Sequence, residues 1–117
     1  MTIREAAAML EAEILQNDFE DLPLTGAYTS DLLSDVMANA KEGGALVTIQ
    51  AHKNTVAVAS LVNIMLIILC NNRPLQDEET LRTAKDEGIA VIRTKENQFT
   101  VSGKLYAALH QNGQCPA

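Results

Sequence analysis

Apolar residues along the chain form two patterns: short uninterrupted runs, and positions recurring at helical spacing. Uninterrupted runs lie at residues 64–69 and 89–92, and residues 45–49 form a short β-rich run broken only by Thr48. Strands without polar alternation are typical of a parallel sheet, in which both faces are covered. The pattern therefore predicts three buried parallel strands, and a short run at residues 12–15 predicts one further strand ahead of them.

Helical spacing is found between these strands. After Gly26, five apolar residues recur at that spacing: Leu32, Leu33, Val36, Met37 and Ala40. They predict a helix whose N-cap is Ser30 or Asp31. The pair Gly43 and Gly44 is expected to end this helix.

Three further helices are predicted in the second half of the chain. A helix over residues 55–62 connects the first two buried strands. The next follows Asp77, and Gly88 stands where a left-handed C-cap is expected. A closing helix runs from about residue 99 to residue 110, and residues 111–117 are expected to form a frayed tail.

The first 23 residues are predicted to form a helix and a turn. Thr2 and Glu5 make a capping-box pair, in which the threonine oxygen accepts from a backbone N–H and the glutamate reaches back to the N-cap. A helix over residues 3–10 follows, and the acidic segment 17–23 turns the chain.

Strands and helices in this alternation predict right-handed βαβ crossovers. We therefore expect an α/β fold with a small, mainly parallel sheet and helices on both faces. The 117 residues are enough for one domain without disulfides or metals, so residues 1–117 are expected to form a single domain.

Composition narrows the range of partners. The net charge is −6, which disfavours binding to nucleic acid or to anionic lipid.

The apolar stretch 56–70 is interrupted by Ser60 and Asn63 and falls short of the ~20 residues of a membrane span. The first residues do not resemble a signal peptide. Cys70 and Cys115 have no metal-ligand spacing and are expected to be free thiols. We therefore expect a cytoplasmic protein without metal or cofactor.

Polar side chains follow the predicted strands at the carboxyl edge of the sheet, where ligands of open parallel sheets bind. Three loops meet there, at residues 51–54, 71–73 and 94–97, and Arg73 and Lys95 add positive charge. The candidate ligand-binding residues are His52, Lys53, Asn54, Asn71, Asn72 and Thr94. Their amide groups and positive charge suit a small anion. The alternative is that these are ordinary solvated loops, since asparagine is common wherever a turn needs a positive φ.

Nothing in the sequence predicts an enzyme. Gly103 and Lys104 are followed by Leu105, so they do not form a phosphate-binding P-loop, and the dinucleotide motif G-x-G-x-x-G is absent. Asp31 and Asp35 lie one helical turn apart, but we interpret the first as a helix cap and the second as solvated. Cys70 has no candidate partner except His52, and its burial should make the thiol inert.

Residues 24–109 resemble the DRTGG domain family, specifically its short stand-alone members. The resemblance rests on three stretches: GAYTSDLLSDVMANAKEGGALVTIQAHKNTVAVA, IMLIILCNNRPLQDEETLRTAKDEGIAVIRTKEN and FTVSGKLYAAL. It implies an α/β domain found alone or fused to cystathionine β-synthase-type domains, acting as a regulatory or dimerising module. Stand-alone members are often encoded beside iron-only hydrogenase subunits. At the positions that name the family this chain differs: Ala-His-Lys at 51–53 replaces Gly-Asp-Arg, and Cys-Asn-Asn at 70–72 replaces Thr-Gly-Gly.

Two functions are compatible with these features. The first is a non-catalytic regulatory or assembly module, a homodimer associated with a redox or hydrogenase complex. The dimer is argued from the resemblance and from the Ala- and Val-rich helix over residues 56–62, which suits close packing. The second is a sensor that binds a nucleotide or similar anion at His52, Lys53, Asn71 and Asn72.

Overall fold

A computed structural model describes residues 1–111 and shows five strands and five helices within them. The strands are β1 (Glu13–Gln16), β2 (Ala27–Thr29), β3 (Ala45–Thr48), β4 (Leu66–Leu69) and β5 (Ala90–Arg93). The helices are α1 (Ile3–Met9), α2 (Leu33–Asn39), α3 (Lys53–Leu61), α4 (Glu79–Glu87) and α5 (Gln98–Gln111). Residue 111 thus ends α5, while residues 112–117, including Cys115 and the rest of the predicted tail, lie outside the described residues.

The strands form one sheet in the order β1-β5-β4-β3-β2. The four strands from β2 to β5 are parallel, and Ala45 pairs with Leu66, which pairs in turn with Ala90. β1 is antiparallel to β5 and covers that edge of the sheet, leaving β2 as the opposite edge. The predicted mainly parallel α/β fold is confirmed.

Helices cover both faces of the sheet, also as predicted. On one face α1 and α5 pack against β3, β4 and β5 through residues such as Leu10, Val101 and Leu105. On the other face α2, α3 and α4 contribute residues such as Val36 and Val56. Successive residues of a strand point to opposite faces, so the consecutive apolar residues of β3, β4 and β5 fill both layers.

Two predicted helix ends are confirmed. Thr2 accepts from the backbone of Glu5, and the Glu5 side chain accepts from the backbone N–H of Thr2, which completes the capping box of α1. Gly88 adopts a left-handed conformation with φ +69° and ends α4.

The strand β2 was not predicted. It has three residues, Ala27 and Thr29 are exposed, and only Tyr28 is half-buried, so it lacks the apolar run that marks the other parallel strands. It forms because its backbone pairs with β3. A three-residue edge strand gives too little periodicity to be read from a sequence.

The predicted N-cap of α2 is wrong. The capping position is Leu32, which has no side chain able to cap, and the carboxylate of Asp31 is turned away to β3. Two residues of the predicted apolar stripe are also outside the core: Leu32 is 64% exposed and Met37 is 51% exposed.

The strand β1 is irregular. The register with β5 shifts between Ile14 and Gln16, as at a β-bulge. Gln16 is buried, and its side-chain amide donates to the carbonyl of Ile89 at 2.9 Å. Among the described residues, no helix is both long and apolar enough to cross a membrane.

Candidate functional site

The loops that follow β4 and β5 meet at the carboxyl edge of the sheet, as predicted. The backbone N–H of Asn71 donates to the carbonyl of Glu96 at 2.9 Å, and that of Asn72 donates to the carbonyl of Thr94 at 2.8 Å. The loop after β3 is next to them, since the backbone N–H of Cys70 donates to the carbonyl of Thr48. The fold therefore brings the three predicted loops to one edge.

The side chains of His52, Lys53 and Asn54 lie at the start of α3. His52 is the N-cap residue and is half-buried, while the other two are exposed. The ammonium of Lys53 lies 3.5 Å from the carboxylate of Glu79 in the first turn of α4. Both groups are exposed, so the ion pair adds little stability. The carboxylate of Glu79 nevertheless offsets the positive charge of Lys53, which was predicted to attract an anion.

Asn71 and Asn72 both adopt left-handed backbone conformations, with φ values of +58° and +52°. Asparagine tolerates this region better than most residues, so the turn itself accounts for their identity. Their side chains are exposed and available to a ligand. The turn geometry and a binding role are compatible.

Thr94 lies apart from the exposed candidates. It is 3% exposed, and its hydroxyl donates to the carbonyl of Leu10 and accepts from the backbone N–H of Glu96. The hydroxyl is thus used to hold α1 and the loop after β5. Because it is buried and already hydrogen-bonded, this hydroxyl does not face a ligand in solvent.

Arg73 and Lys95 supply the positive charge of this edge. Both are exposed, and the ion pairs that the structure describes join other residues, such as Lys104 with Glu96 at 2.8 Å. Exposed cations beside the amides of Asn71 and Asn72 are suited to an anion at the surface. They do not form a closed pocket.

Asp31 has a role that the sequence did not predict. One carboxylate oxygen, Oδ1, accepts from the hydroxyl of Thr48 at 2.9 Å, from the backbone N–H of Ile49 at 2.9 Å and from the side-chain amide of Gln98 at 3.0 Å. This oxygen connects β2, β3 and α5 at the carboxyl edge. Without β2 in the predicted fold, no sequence signal could place Asp31 there.

Cys70 is buried at the end of β4. Desolvation raises the pKa of its thiol to about 11, and the negative charge of Asp31 acts in the same direction. A thiol with this pKa is almost wholly protonated at neutral pH. The structure therefore supports the prediction that Cys70 is unreactive.

A groove of about 770 Å³ lies beside β2, away from the predicted site. It is mostly apolar and is lined by the segment from Pro23 to Tyr28, the segment from Asn39 to Glu42, and Gly44, Ala45 and Ile64. The sequence did not predict this groove, because one of its walls is the unpredicted edge strand.

Three hydrogen-bonded side chains, Tyr28, Asp35 and Asn39, stiffen one wall of this groove. The hydroxyl of Tyr28 donates to the carboxylate of Asp35 at 2.9 Å, and the amide of Asn39 donates to the same carboxylate at 2.9 Å. The hydroxyls of Ser30 and Tyr28 lower the pKa of Asp35, and the carboxylate in turn raises the pKa of Tyr28. Asp35 is therefore engaged in these hydrogen bonds and not simply solvated, as the sequence had suggested.

Comparison with known proteins adds evidence on the fold. No protein-family model and no curated protein sequence matches the chain. The structure is similar to the crystal structure of the CBS and DRTGG domains of the regulatory region of Clostridium perfringens pyrophosphatase, solved in complex with the activator diadenosine tetraphosphate. The TM-score is 0.67 at 17% sequence identity, over 89% of this chain and 45% of the other. The chain thus spans less than half of that regulatory region, and the likeness confirms for it an α/β fold similar to that of a CBS and DRTGG structure.

Proposed function

We propose that this protein is a non-catalytic regulatory or assembly module that acts as a homodimer. The observation that carries the proposal is an apolar stripe on α5. Phe99 is 88% exposed and Tyr106 is 62% exposed, about two turns apart on the same side of the helix. Large aromatic residues that remain in water on a regular helix are typical of a protein interface.

The Ala- and Val-rich helix α3 does not provide the dimer contact that its composition suggested. Val56, Val58 and Ala59 are buried within the single chain, in the layer shared with α2 and α4. Their small size therefore serves packing inside the chain, and the proposed association rests on the α5 stripe.

The absence of catalysis is proposed because the reactive groups at the carboxyl edge have other uses. The Asp31 carboxylate accepts three hydrogen bonds, the Thr94 hydroxyl is bonded internally, and the raised pKa of Cys70 keeps the thiol protonated. A nucleophile, a base and an orienting group are needed together for catalysis. These residues do not provide that combination.

The partner is proposed from the two resemblances. The structural neighbour is a regulatory region, and the DRTGG resemblance implies association with redox or hydrogenase subunits. We therefore propose that the homodimer serves such a complex. The acidic net charge of −6 favours a partner with a basic surface.

Size-exclusion chromatography with light scattering tests the homodimer. The wild type is expected to elute as a dimer at high micromolar concentration, and the double variant Phe99→Ser, Tyr106→Ser as a folded monomer. Leu61→Ser is the matched control, because Leu61 is comparably exposed but lies on α3. A wild-type monomer at all concentrations would contradict the proposal.

A second candidate function is a sensor of nucleotides or similar anions. It is favoured by the exposed amides of Asn71 and Asn72 beside Arg73, Lys95 and the partly offset charge of Lys53. The structural neighbour was solved with a nucleotide activator. Nucleotide binding to the folded state would raise the melting temperature by mass action.

Thermal-shift measurements with diadenosine tetraphosphate and ATP test this candidate. A rise of several degrees that disappears in the double variant Lys53→Ala, Asn71→Ala would support it. A rise that persists in the variant would place the ligand elsewhere. A nucleotide-dependent rise in a protein that is monomeric would favour the sensor over the assembly module.

A further inference from the structure

We propose that two copies of this chain pair antiparallel along their β2 edges, with Tyr28 of each copy at the two-fold axis, so that the two sheets become one. The proposal deepens the homodimer proposed above and rests on it. It names the strand, the register and the side chains that fill the interface.

The first support is the hydrogen-bonding pattern of the edge. The carbonyl of Gly26 accepts from Ala45, and the backbone N–H of Ser30 donates to the carbonyl of Val47, so both residues face β3. Backbone groups of a strand alternate in direction, and Tyr28 therefore faces β3 as well. The N–H and C=O groups of Ala27 and Thr29 point outward from the sheet.

These outward groups fix one register. When two β2 strands run antiparallel with Tyr28 opposite the partner's Tyr28, Ala27 lies opposite the partner's Thr29. Each of these residues then donates its N–H and accepts through its C=O, as in a hydrogen-bonded pair of an antiparallel ladder. The outward N–H and C=O groups of Ala27 and Thr29 then have hydrogen-bond partners on both copies.

The second support is the position of α5. Its Ser102 hydroxyl lies 2.6 Å from the hydroxyl of Thr29, so the helix sits above the β2 edge. Phe99, Gly103 and Tyr106 form the stripe beside Ser102. Because α5 contacts both β2 and β3, edge pairing at a strand spacing of ~4.8 Å sets the two α5 axes roughly 10 Å apart.

That distance is the packing distance of two helices. The exposed Phe99 and Tyr106 would meet their counterparts across the axis. Gly103, between them on the stripe, has open space where a side chain would be and so permits close approach. The same two-fold rotation thus covers the α5 stripe and pairs the β2 edge.

The third support is the groove beside β2. The groove is lined by Ala27 and Tyr28 of the edge strand, so it runs along the proposed contact. Leu32, just beyond the other end of β2, is exposed in the single chain. Pairing along β2 would bring the second copy against both, and the second copy is therefore the proposed cover of the groove beside the edge strand.

The area is sufficient for a stable contact. A buried Phe or Tyr removes at least ~150 Å² from water, so the stripe supplies roughly 300 Å² on each copy. Leu32, the groove and the backbone edge add to this on both sides. The total is consistent with the ~1,000 Å² that a biological interface needs.

Cysteine cross-linking tests the register. Facing residues of a non-hydrogen-bonded pair have Cα atoms ~4.5 Å apart, within disulfide range. In a Cys115→Ser background, Tyr28→Cys is expected to form a disulfide-linked dimer on mild oxidation. Leu61→Cys, exposed on α3, is the control and is expected to stay uncross-linked.

A backbone variant tests the edge without relying on Tyr28. By the alternation described above, Ala27→Pro removes an N–H that points away from β3, so the variant is expected to fold, as checked by circular dichroism and melting temperature. Its dimer dissociation constant is expected to rise at least tenfold. Ala27→Ser keeps the N–H and is expected to dimerise like the wild type.

The outcomes separate this proposal from the homodimer itself. A wild-type dimer in which Ala27→Pro still dimerises and Tyr28→Cys does not cross-link overturns the β2 pairing and leaves the homodimer standing. A wild type that is monomeric overturns both. Loss of the dimer in Ala27→Pro, with a cross-link in Tyr28→Cys alone, supports the β2 interface.

Discussion

The side-chain amide of Gln98 donates to the carboxylate of Asp31 across 3.0 Å and so joins the first turn of α5 to the loop after β2. The same oxygen accepts from Thr48 at the end of β3 and from Ile49 just after it. This carboxylate therefore helps to hold the last helix on the edge of the sheet, together with core packing of α5 and the contact between Ser102 and Thr29. The position of the α5 stripe depends on these contacts.

Replacing Asp31 by Ala is expected to lower the free energy of unfolding by about 2 kcal/mol, the scale of hydrogen bonds to a charged group. Urea denaturation measures the change. Asp18→Ala is the matched control and is expected to stay within about 0.5 kcal/mol, because Asp18 is exposed and its described hydrogen bonds involve its backbone. Equal stability of the two variants would show that the Asp31 contacts contribute nothing.

Asp35 is expected to make stability depend on pH in the acidic range. Its pKa is lowered in the folded protein by the hydroxyls of Ser30 and Tyr28 and by Asn39, so folding favours the carboxylate. That contribution is present above the ordinary pKa near 3.8 of the unfolded chain and is lost as the pH falls through the lower folded pKa.

Urea midpoints of the wild type and Asp35→Asn, measured from neutral pH downward, test this. The wild type is expected to be the more stable near pH ~6, with the gap closing below pH ~4. Tyr28→Phe removes one donor and is expected to narrow the gap at neutral pH. A gap that is constant across the range would contradict a role for the Asp35 charge.

Cys70 is expected to resist alkylation in the native protein. Its pKa of about 11 lies two units above the ordinary 9.0, which lowers the thiolate fraction near neutral pH by about 100-fold, and burial blocks the reagent as well. Iodoacetamide labelling of a Cys115→Ser variant, followed by mass spectrometry at pH ~8, measures it. Labelling as fast in buffer as in denaturant would show that the thiol is accessible.

Gly43→Ala is expected to destabilise the protein more than Gly88→Ala does. Both glycines have positive φ, but a Cβ at Gly43 would meet Thr25 Cγ2 at 2.9 Å, whereas a Cβ at Gly88 meets nothing within 4 Å. The second variant isolates the backbone cost of about 1 kcal/mol, and the first should exceed it by a further ~1–2 kcal/mol. Similar urea midpoints for the two variants would mean that the Thr25 side chain moves aside at little cost.

Much of this fold could be predicted from the sequence because its core strands are uninterrupted apolar runs. β3, β4 and β5 each bury both faces, and their runs have no other simple interpretation. β2 could not be predicted, since its three residues are held by backbone pairing and carry no apolar signature. The N-cap of α2 and the role of Asp31 were missed for the same reason.

For the candidate site, the sequence predicted the position of the loops better than the exposure and partners of their side chains. Topology alone brings the loops after β3, β4 and β5 together, so Asn71 and Asn72 were correctly placed beside Thr94. Whether a polar side chain faces solvent or the interior is decided by local packing, as with the buried hydroxyl of Thr94. Long-range partners such as Glu79 for Lys53 depend on helix positions that spacing does not reveal.

The bulge in β1 limits how far such sheets can grow. It breaks the regular ladder at the edge opposite β2, and Glu13 at its start carries a negative charge that pairs with Arg93. Bulges and charges at an edge hinder the addition of another strand. A two-fold contact at β2 is self-complementary and closed, so pairing there yields a finite ten-stranded sheet and not a fibre.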